Sequence, residues 1–516
     1  MVSRVDLGPA LIVACVTTAL GASTIMPGVG FWDTAELQTV APVLGTAHPT
    51  GFPTYILLGW VASVVLSPFG EPALRMNLFS LISIAVAAAV TVDLVRALSG
   101  SRAIGLAVGL GFALSPLTWS LTTRAEAHTL HVALVAVLIR LLVSWGQRRQ
   151  ADASMARRGV RTDRWLVAAA VAFAVAAGNH SLTLLLAPPI ALFVLAVEPG
   201  ILRRPGFIAA CVLALFGTLT VLYLYLPIRA GLVPAPLVYG RPETWDGFWA
   251  IVLAEQFRGS LVDPLGDLGG KIVDAAGRAA GQLGPLAAAL PFAFISTALR
   301  HPRYALLSGT AVAITVLFSA AYVNADIGRY DLGPLLFAWT WLGVLAGVLA
   351  ARAARLVRVR VASDGRSVIE PRALMAAGLA LILLAPTVLD LPDRQVRVDR
   401  SWDRTAARWL DAVDAEIEPN AVVVSWWSYS TPLWYAQHVE GRLSEVDIID
   451  DRTRLDEELG SLVDVIDRHL GRRPVYVIRV EPAEWRLLEE EYVIEHIDMP
   501  MPDSLSRIVS RREAGL

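Results

Sequence analysis

Two carboxylates and a histidine lie close together in the stretch FWDTAELQTVAPVLGTAHPTGFPTY, residues 31–55. Asp33 and Glu36 are three residues apart, so a helical turn would place them on one face. Like charges repel there, and one pKa should rise unless a cation or a hydrogen bond compensates. A carboxylate of this kind can take a proton from a hydroxyl group, so the pair could supply a general base. The alternative is a solvated helix start, where acidic residues favour the helix dipole.

His48 lies after the acidic pair in the proline-rich turn AHPTGFP, residues 47–53. Its imidazole could orient a carboxylate or donate a hydrogen bond to a phosphate. A histidine in such a turn can also be purely structural, and the sequence leaves both interpretations open.

Further polar groups cluster where apolar runs end. The clusters are ALRMNLFS (73–80), WSLTTRAEAHTLH (119–131), GNHSLT (178–183), YLYLPIRA (223–230), YGRPETWDGFWAIVLAEQFRG (239–259) and NADIGRYDLGP (324–334). Ionisable groups at membrane depth are costly, which makes them functional candidates. The candidate residues in these clusters are Arg75, Asn77, Arg124, Glu126, His128, Asn179, His180, Arg229, Arg241, Trp245, Gln256, Arg258, Asp326, Arg329, Tyr330 and Asp331.

The composition predicts the scaffold that must position these groups. The chain has 516 residues, of which 55% are apolar and 17% charged, and its mean hydropathy is +0.55. A soluble domain carries about 25% charged residues. Twelve apolar runs lie between residues 8 and 391, many of them long enough to cross a bilayer of ~30 Å. The chain is therefore predicted to be a polytopic helical membrane protein, with its first run retained as a span.

Charge and cysteine usage narrow the function classes. The net charge is −2, which implies no nucleic-acid partner. Cys15 and Cys211 both lie inside apolar runs, so no disulfide framework is expected. Lys271 is the only lysine, and this arginine usage indicates a GC-rich, hence bacterial, genome and an inner (plasma) membrane location.

Arginine-rich loops predict the topology, because such loops stay in the cytoplasm. Segments 147–164 and 352–372 each contain six arginines. Twelve spans with a cytoplasmic N-terminus would place 147–164 outside. The run 53–68 is the weakest candidate, since about 16 residues reach only ~24 Å. We interpret it as a re-entrant or interfacial helix, which leaves about eleven spans and an extracytoplasmic C-terminus.

This topology places an unexpected number of arginines outside. The outer segments are the loop 28–73, the turns at 122–128 and 179–180, the loops 229–283 and 324–334, and everything after residue 392. Arginines at helix ends can simply extend their charged groups to the interface. Their excess on one side would instead be explained by binding of phosphate oxygens. Together with the carboxylates, the outer arginines indicate group transfer from a phosphorylated lipid.

Residues 392–516 have a different, soluble composition. AVVVSW (421–426), EVDIID (445–450) and PVYVIRV (474–480) are typical of buried strands. Segments 403–416, 430–439, 453–469 and 482–491 favour helices between them. The alternation predicts a small extracytoplasmic α/β domain with parallel strands, separate from a membrane domain over residues 1–391. It could be a structural cap or could guide an acceptor.

The motifs DTAEL…GTAHPTGFPTY, LRMNLFS, TRAEAHTLH, GNHSLTLLLAPP, YLYLPIRA and NADIGRYDLGP carry a family resemblance. Over about the first 335 residues the chain resembles the bacterial membrane family related to vertebrate transmembrane protein O-mannosyltransferases. That family is similar to the GT-C superfamily of polyprenyl-phosphate-sugar glycosyltransferases. LWYAQHVEGRLSEVDIID (433–450) resembles the segment that follows the membrane core in the same family.

The resemblance implies a GT-C fold with the catalytic carboxylate in the first outer loop. Asp33 matches the acidic position of the general base, and Glu36 matches a second acid that would hold the acceptor or tune Asp33. Arg124 resembles an arginine that contacts the lipid phosphate. The chain departs by having Thr34 and Ala35 between the acids, and Thr50 where many relatives have a second proline.

The predicted function is transfer of a hexose, with mannose favoured, from a polyprenyl-phosphate sugar to an acceptor hydroxyl with inversion. The acceptor could be a protein, a glycan or a lipid. No metal-ligand spacing is present, so no metal or other cofactor is predicted, and the lipid-linked sugar is a co-substrate. The alternatives are a transporter or lipid-linked sugar flippase, which would place polar groups along a path through the bilayer, and a scaffold whose outer domain binds a partner.

Overall fold

The structure is a computed structural model that describes residues 7–154, 160–263, 265–324, 326–356, 370–500 and 505–512. Parts of the two arginine-rich segments that predict the topology, residues 155–159 and 357–369, lie outside these ranges.

The chain up to residue 398 is helical. Its α-helices are α1 (Leu7–Ala22), α2 (Trp32–Val40), α3 (Pro53–Val65), α4 (Pro72–Ser99), α5 (Arg102–Ala113), α6 (Pro116–Thr122), α7 (Ala127–Ser154), α8 (Val160–Asn179), α9 (Ala187–Val197), α10 (Pro205–Tyr223), α11 (Tyr225–Pro227), α12 (Trp245–Val252), α13 (Leu268–Leu283), α14 (Leu290–Arg300), α15 (Pro302–Ala321), α16 (Leu332–Leu356), α17 (Pro371–Leu389) and α18 (Leu391–Val398).

The long helix α4 lies at the centre of the bundle and packs against α1, α5, α7 and α16. The approach of α4 and α5 is close enough to require a glycine. A Cβ added at Gly105 would lie 2.7 Å from the backbone oxygen of Val92 in α4. Large aromatic side chains, including Trp145 and Trp339, are fully buried in the same apolar core. This core fixes the helix ends from which the polar loops project.

Seven helices among the described residues are long and apolar enough to cross a membrane, or eight if the bent pair α5–α6 forms one span. Three shorter apolar helices, Leu7–Ala22, Pro53–Val65 and Ser181–Val197, accompany them. The polytopic membrane architecture is confirmed, whereas the predicted count of eleven spans is not.

Helix α3 corresponds to the apolar run that we interpret as non-crossing. It has 13 residues, so its length is about 20 Å, less than a hydrocarbon core of ~30 Å. Val64 and Val65 near its end are exposed. The length and the exposed apolar side chains are compatible with a helix at the membrane interface, which remains a prediction.

The C-terminal domain contains a five-stranded sheet in the order β2-β1-β3-β5-β4. Its strands are β1 (Val422–Ser425), β2 (Asp447–Asp450), β3 (Val475–Ile478), β4 (Tyr492–Ile497) and β5 (Leu505–Arg511). Its helices are α19 (Thr405–Glu416), α20 (Trp427–Tyr435), α21 (Asp451–Asp456), α22 (Leu462–His469) and α23 (Pro482–Glu491). The three predicted strands form the parallel part of the sheet. The antiparallel strands β4 and β5 were not predicted.

The predicted helix 453–469 is divided into α21 and α22. Gly460 between them has a φ of +88°, and Ser461 caps the start of α22 with Asp464 in a capping box. The glycine conformation and the cap together explain why the helical pattern is interrupted.

The C-terminal domain is attached directly to the polar end of the bundle, which we call the domain side. Helix α20 packs along α2, the helix that carries the acidic pair. Phe31 makes edge contacts with Trp409 and Tyr429, at centroid distances of 5.6 and 5.8 Å. The Tyr435 hydroxyl accepts a hydrogen bond of 3.1 Å from the backbone N–H of Ala73. The sheet domain therefore positions α2 from one side.

Helix α18 starts at the predicted domain boundary and still packs against the bundle. Val398 lies in one apolar cluster with Leu114 and Trp119, and Arg394 donates a 2.8 Å hydrogen bond to the Leu114 carbonyl. The compact sheet domain begins with α19.

Candidate active site

Helix α2 holds the acidic pair in a rigid setting. Its first residue, Trp32, has a φ of +60°, and Asp33 lies in the first helical turn. A non-glycine residue in the left-handed region is uncommon and often lies at a functional site.

A buried amide pair anchors the segment before α2. The Gln38 carbonyl oxygen accepts 2.9 Å from Gly30 N–H, and its amide nitrogen donates 2.8 Å to the Asn77 oxygen. Asn77 in turn donates 2.8 Å to the Met26 carbonyl and accepts 2.7 Å from Ala125 N–H. Asn77, a candidate from the sequence, is therefore a structural link between three segments. The sequence analysis missed its partner Gln38. The position of this amide relative to Asp33 on the helix does not by itself predict the hydrogen bonds that it makes.

Asp33 forms an ion pair with Arg329 across 296 residues of chain. Arg329 NH1 lies 2.6 Å from Asp33 Oδ2 and 3.3 Å from Glu126 Oε2. The Asp33 side chain is 29% exposed, the Arg329 side chain 14% and the Glu126 side chain 3%. Three candidates from different clusters thus meet at one guanidinium.

Glu126 is fixed in its ionised form. His128 Nδ1 lies 2.7 Å from Glu126 Oε1, and the His128 backbone N–H donates 3.3 Å to the same oxygen. Burial raises the pKa of Glu126, but the positive charge of Arg329 and the bond with His128 outweigh it and hold that pKa well below its usual range.

Arg124 and Asp326 extend the cluster toward solvent. Asp326 Oδ2 lies 3.8 Å from Arg329 NH2 and 4.0 Å from Arg124 NH2. The Arg124 side chain is 31% exposed and that of Asp326 is 59% exposed. Arg124 is thus held only loosely and is accessible to a ligand. We call Asp33, Arg124, Glu126, Asp326 and Arg329 the charged cluster.

Glu36 has a different partner from Asp33. Its carboxylate binds the His48 ring through Nδ1 and accepts a 2.8 Å hydrogen bond from the His48 backbone N–H. Burial lowers the pKa of His48, but the charge and hydrogen bond of Glu36 outweigh it, so that pKa is raised. The two acids of α2 therefore each have their own cationic or hydrogen-bonding partner. These partners compensate the repulsion between the two carboxylates.

Three elements enclose the His48 ring with aromatic side chains. Phe52 from the same turn lies 5.0 Å away, Trp427 from α20 lies 5.7 Å away, and Tyr239 and Phe257 from the loop 229–283 each lie 6.4 Å away between ring centroids. The first loop, the long loop and the C-terminal domain therefore meet at this histidine.

Aromatic and imidazole rings lie next to Glu126. Tyr330 stacks on His128 with a centroid distance of 5.3 Å, and His180 lies 4.5 Å from His128. Asn179 donates a 3.1 Å hydrogen bond to the Ala127 carbonyl. His180 Nδ1 accepts from Leu182 N–H and caps the following turn. All four candidate residues therefore lie beside the charged cluster, although Asn179 and His180 also have structural bonds.

The structure does not bring the other candidate arginines into the cluster. Arg75 donates to the Gly70 and Ser63 carbonyls and thereby holds the end of α3. Arg229 donates 2.8 Å to the Leu44 carbonyl. Arg258 is exposed and pairs with Glu255, and Arg241 lies 3.6 Å from Glu243. Their guanidinium groups have partners outside the charged cluster, and the interpretation of these arginines as phosphate ligands stays a prediction that the structure does not favour.

An apolar groove runs beside the cluster between α13, α15 and α16. Its volume is about 510 Å³, and its lining includes Ile272, Val312, Leu317 and Leu335. Lys271, Arg278 and Asp331 are its charged lining residues. Arg278 Nε lies 2.6 Å from Asp331 Oδ2, two positions after Arg329 in the chain. An apolar groove whose charged lining includes Asp331, two residues from Arg329 of the charged cluster, is suited to a molecule with a long hydrocarbon tail and an anionic head.

The N-terminal part of the chain matches a known protein family. Residues 33–201 match the family described as the Protein O-mannosyl-transferase TMEM260 N-terminal domain. The chain is 33% identical over 232 residues to Protein O-mannosyl-transferase TMEM260 of Mus musculus, which covers 44% of this chain and 31% of that protein. The corresponding protein of Dictyostelium discoideum is 28% identical over 132 residues, or 25% of this chain and 16% of that protein.

The N-terminal part of the chain is similar to the O-mannosyltransferase family. The matched region includes the acidic pair, His48, Arg124 and Glu126, so the predicted resemblance is confirmed. The aligned regions cover less than a third of the curated relatives' own length.

Two solved structures share the fold over almost the whole chain. ArnT from Cupriavidus metallidurans bound to undecaprenyl phosphate has a TM-score of 0.56 at 16% identity, with 96% of each chain covered. The archaeal oligosaccharyltransferase AglB from Archaeoglobus fulgidus, in complex with an inhibitory peptide and a dolichol-phosphate, has a TM-score of 0.55 at 13% identity. That match covers 94% of this chain and 72% of AglB. The predicted GT-C fold is therefore confirmed.

Proposed function

We propose that this protein is an inverting glycosyltransferase that moves a hexose, with mannose favoured, from a polyprenyl-phosphate sugar to an acceptor hydroxyl. The observation that carries the proposal is the charged cluster, in which a partly exposed carboxylate, two arginines and a neighbouring apolar groove lie together. The family relationship supports transfer to a protein serine or threonine.

The groove and the arginines suit the donor. The hydrocarbon tail would lie in the groove between α13, α15 and α16, and the phosphate would reach Arg124 and Arg329. Planar guanidinium groups bind phosphate oxygens through two parallel hydrogen bonds. The relatives ArnT and AglB, with undecaprenyl phosphate and dolichol-phosphate in their respective complexes, support a lipid-phosphate donor.

Asp33 is the proposed general base. The acceptor hydroxyl donates to the Asp33 carboxylate, and its oxygen attacks the anomeric carbon of the donor sugar. The bond between this carbon and the phosphate oxygen breaks, the phosphate leaves with the bonding electrons, and the acceptor proton goes to Asp33. Arg124 and Arg329 would stabilise the charge that develops on the phosphate. Attack opposite the leaving group inverts the anomeric configuration.

Glu36 and His48 would support this base without replacing it. Their pair is buried and fixes the turn 47–53 against α2, which keeps Asp33 at the surface of the site. The adjoining C-terminal domain would guide the acceptor. The domain and the acceptor would lie on the extracytoplasmic side of a bacterial inner membrane, and the N-terminus would lie in the cytoplasm. No cofactor enters the proposed reaction, since the lipid-linked sugar is a co-substrate.

The distribution of charges supports a transferase rather than a transporter or flippase. The alternative functions require polar groups along a path through the bilayer. The members of the charged cluster come from three separate segments of the chain and converge on one site at the domain side. Such convergence is what chemistry at one interface requires.

The test uses the purified protein in lipid nanodiscs with radiolabelled polyprenyl-phosphate mannose and a serine- or threonine-containing peptide. We expect peptide mannosylation with inverted configuration, and we expect its loss in Asp33→Asn. Asp411→Asn, an exposed carboxylate in α19, is the matched control and should keep wild-type transfer. Full transfer by Asp33→Asn would exclude Asp33 as the base, and no transfer by the wild type to any hydroxyl acceptor would exclude the proposed activity.

A further inference from the structure

The ion pair between Asp33 and Arg329 conflicts with both of their proposed roles. The Arg329 guanidinium lies 2.6 Å from Asp33 Oδ2 and so occupies a carboxylate oxygen that would receive the proton of the acceptor. The same guanidinium N–H would be needed by the donor phosphate. The geometry therefore shares one arginine between the base and the leaving group.

The charge balance of the cluster sharpens this conflict. Its carboxylates are Asp33, Glu126 and Asp326, and its cations are Arg124 and Arg329. Three negative charges thus face two positive charges before any donor arrives. A phosphate can contact the loosely held Arg124 directly, but a phosphate that binds the Arg329 nitrogen beside Asp33 must take this contact away from the carboxylate.

The three carboxylates differ in how easily they can release Arg329. Glu126 is 3% exposed and is held twice by His128, so it has little freedom to move. Asp326 is 59% exposed and only 3.8 Å from Arg329, so its contact with Arg329 is weak from the start. Asp33 makes the shortest of these contacts, and within the described ranges Arg329 is its one hydrogen-bonding or ion-pair partner.

We propose that Arg329 is a positioning residue that pairs with Asp33 in the donor-free protein and moves its contact to the donor phosphate on binding. Donor binding then releases Asp33 as a free base, and the base is masked while the site is empty. This inference rests on the proposed function, since it assigns Asp33 and the phosphate their roles there. Glu126 holds the other side of the guanidinium and keeps Arg329 within reach of both partners.

The exchange has a thermodynamic consequence that does not depend on catalysis. If Asp33 competes with the phosphate for Arg329, neutralising Asp33 should strengthen phosphate binding. The gain must depend on Arg329. Simple repulsion between Asp33 and the phosphate would also weaken binding, but its removal would help equally with or without Arg329. A double-mutant cycle separates the two cases.

The experiment measures the affinity of a short-chain polyprenyl phosphate for the full-length protein in nanodiscs by titration calorimetry. We expect Asp33→Asn to bind about tenfold more tightly than the wild type, which corresponds to one lost competing ion pair. We expect Arg329→Gln to bind about tenfold more weakly. The double variant should bind like Arg329→Gln, so that the gain disappears. Glu255→Gln, which removes an exposed carboxylate paired with Arg258 at 2.9 Å, is the matched control and should bind like the wild type.

No gain in Asp33→Asn, or a gain that persists in the double variant, would overturn the proposal. If Arg329→Gln does not fold, the same cycle is run with Arg329→Lys, which keeps the charge but not the planar fork. The gain should then fall at least about threefold, and an unchanged gain would contradict the exchange.

Failure of this inference is distinguishable from failure of the proposed function. Loss of transfer in Asp33→Asn without tighter phosphate binding would exclude the exchange and leave Asp33 as the base. Transfer that persists in Asp33→Asn would exclude the base assignment itself, whatever the phosphate affinities.

Discussion

The two acids of α2 lie one helical turn apart and have opposite settings. Glu36 is 1% exposed and holds both the ring and the backbone N–H of His48. Asp33 is 29% exposed and is paired with Arg329, a residue of a distant loop. The two carboxylates therefore differ in their burial and in the number of hydrogen bonds that hold them. These two properties, and not the residue type, distinguish a supporting carboxylate from one that is available for chemistry.

The largest expected effect on stability comes from breaking the pair of Glu36 and His48. Glu36→Ala leaves the buried His48 without its counter-charge and the turn 47–53 without its anchor. We expect a loss of about 3 kcal/mol in the free energy of unfolding, as found when one partner of a buried ion pair is removed. Thermal unfolding in detergent measures it. Asp33→Asn is the internal control and should unfold near the wild-type temperature; equal destabilisation by both variants would contradict the difference between the two acids.

Asp450 is a buried carboxylate that extends the comparison between Asp33 and Glu36, because no ion pair with a cation is recorded for it among the described residues. Asp450 at the end of β2 is fully buried, and burial raises its pKa to about 6. Its folded pKa exceeds the unfolded value, so it contributes stability that is present below pH ~4 and is lost as the pH rises through about 6. Asp450→Asn keeps the cap on Thr453 and should stabilise the protein at pH 7 by about 2 kcal/mol. Unfolding curves at pH 5 and 7 test this, and a variant that gains nothing at pH 7 would refute it.

Two arginines that look alike in the sequence should behave differently. Arg124 lies at the charged cluster, so Arg124→Ala should raise the KM for the lipid-linked donor about tenfold by removing one phosphate contact. Arg258 is exposed and paired with Glu255, so Arg258→Ala should leave the KM within about twofold. Donor titrations at saturating acceptor measure both, and equal effects would remove the distinction between them.

The smallest expected effect is the pH dependence of the His48 pair. The raised pKa of His48 means that the folded protein binds its proton more tightly than the unfolded chain. The pair therefore contributes fully below pH ~6.5, and its contribution is lost as the pH rises through the higher folded pKa. We expect the free energy of unfolding to decrease across this range and the profile to be flatter in Glu36→Gln. A wild-type profile that rises with pH in this window would have the wrong sign.

Sequence patterns predicted those secondary-structure elements that depend mainly on neighbouring residues in the chain. The three apolar strand segments of the C-terminal domain were correctly predicted because short β-branched runs between helical segments favour a parallel sheet. Strands β4 and β5 were missed because their sequences, YVIEHI and LSRIVSR, are interrupted by charged residues. Of the two, β4 is the edge strand of the sheet.

The candidate site was predictable in its members but not in its pairings. Asp33, Arg124, Glu126 and Arg329 were each singled out because charged groups at helix ends are costly in a membrane protein. Nothing local indicates that Arg329 reaches Asp33, since 296 residues separate them. For the same reason the local sequence does not show that Arg229 holds the Leu44 carbonyl whereas Arg124 lies at the charged cluster.

The most direct test of the account is single-turnover sugar transfer by Asp33→Asn and Glu36→Gln, with the lipid-linked donor bound in excess over its dissociation constant. We predict that Asp33→Asn slows transfer by about a thousandfold or more although the donor is bound, because the acceptor proton has no base. Glu36→Gln should remain within about tenfold of the wild type, since it removes support and not the base. Transfer by Asp33→Asn at a rate near the wild type, with Glu36→Gln inactive while folded, would contradict the assignment of Asp33 and make Glu36 the base.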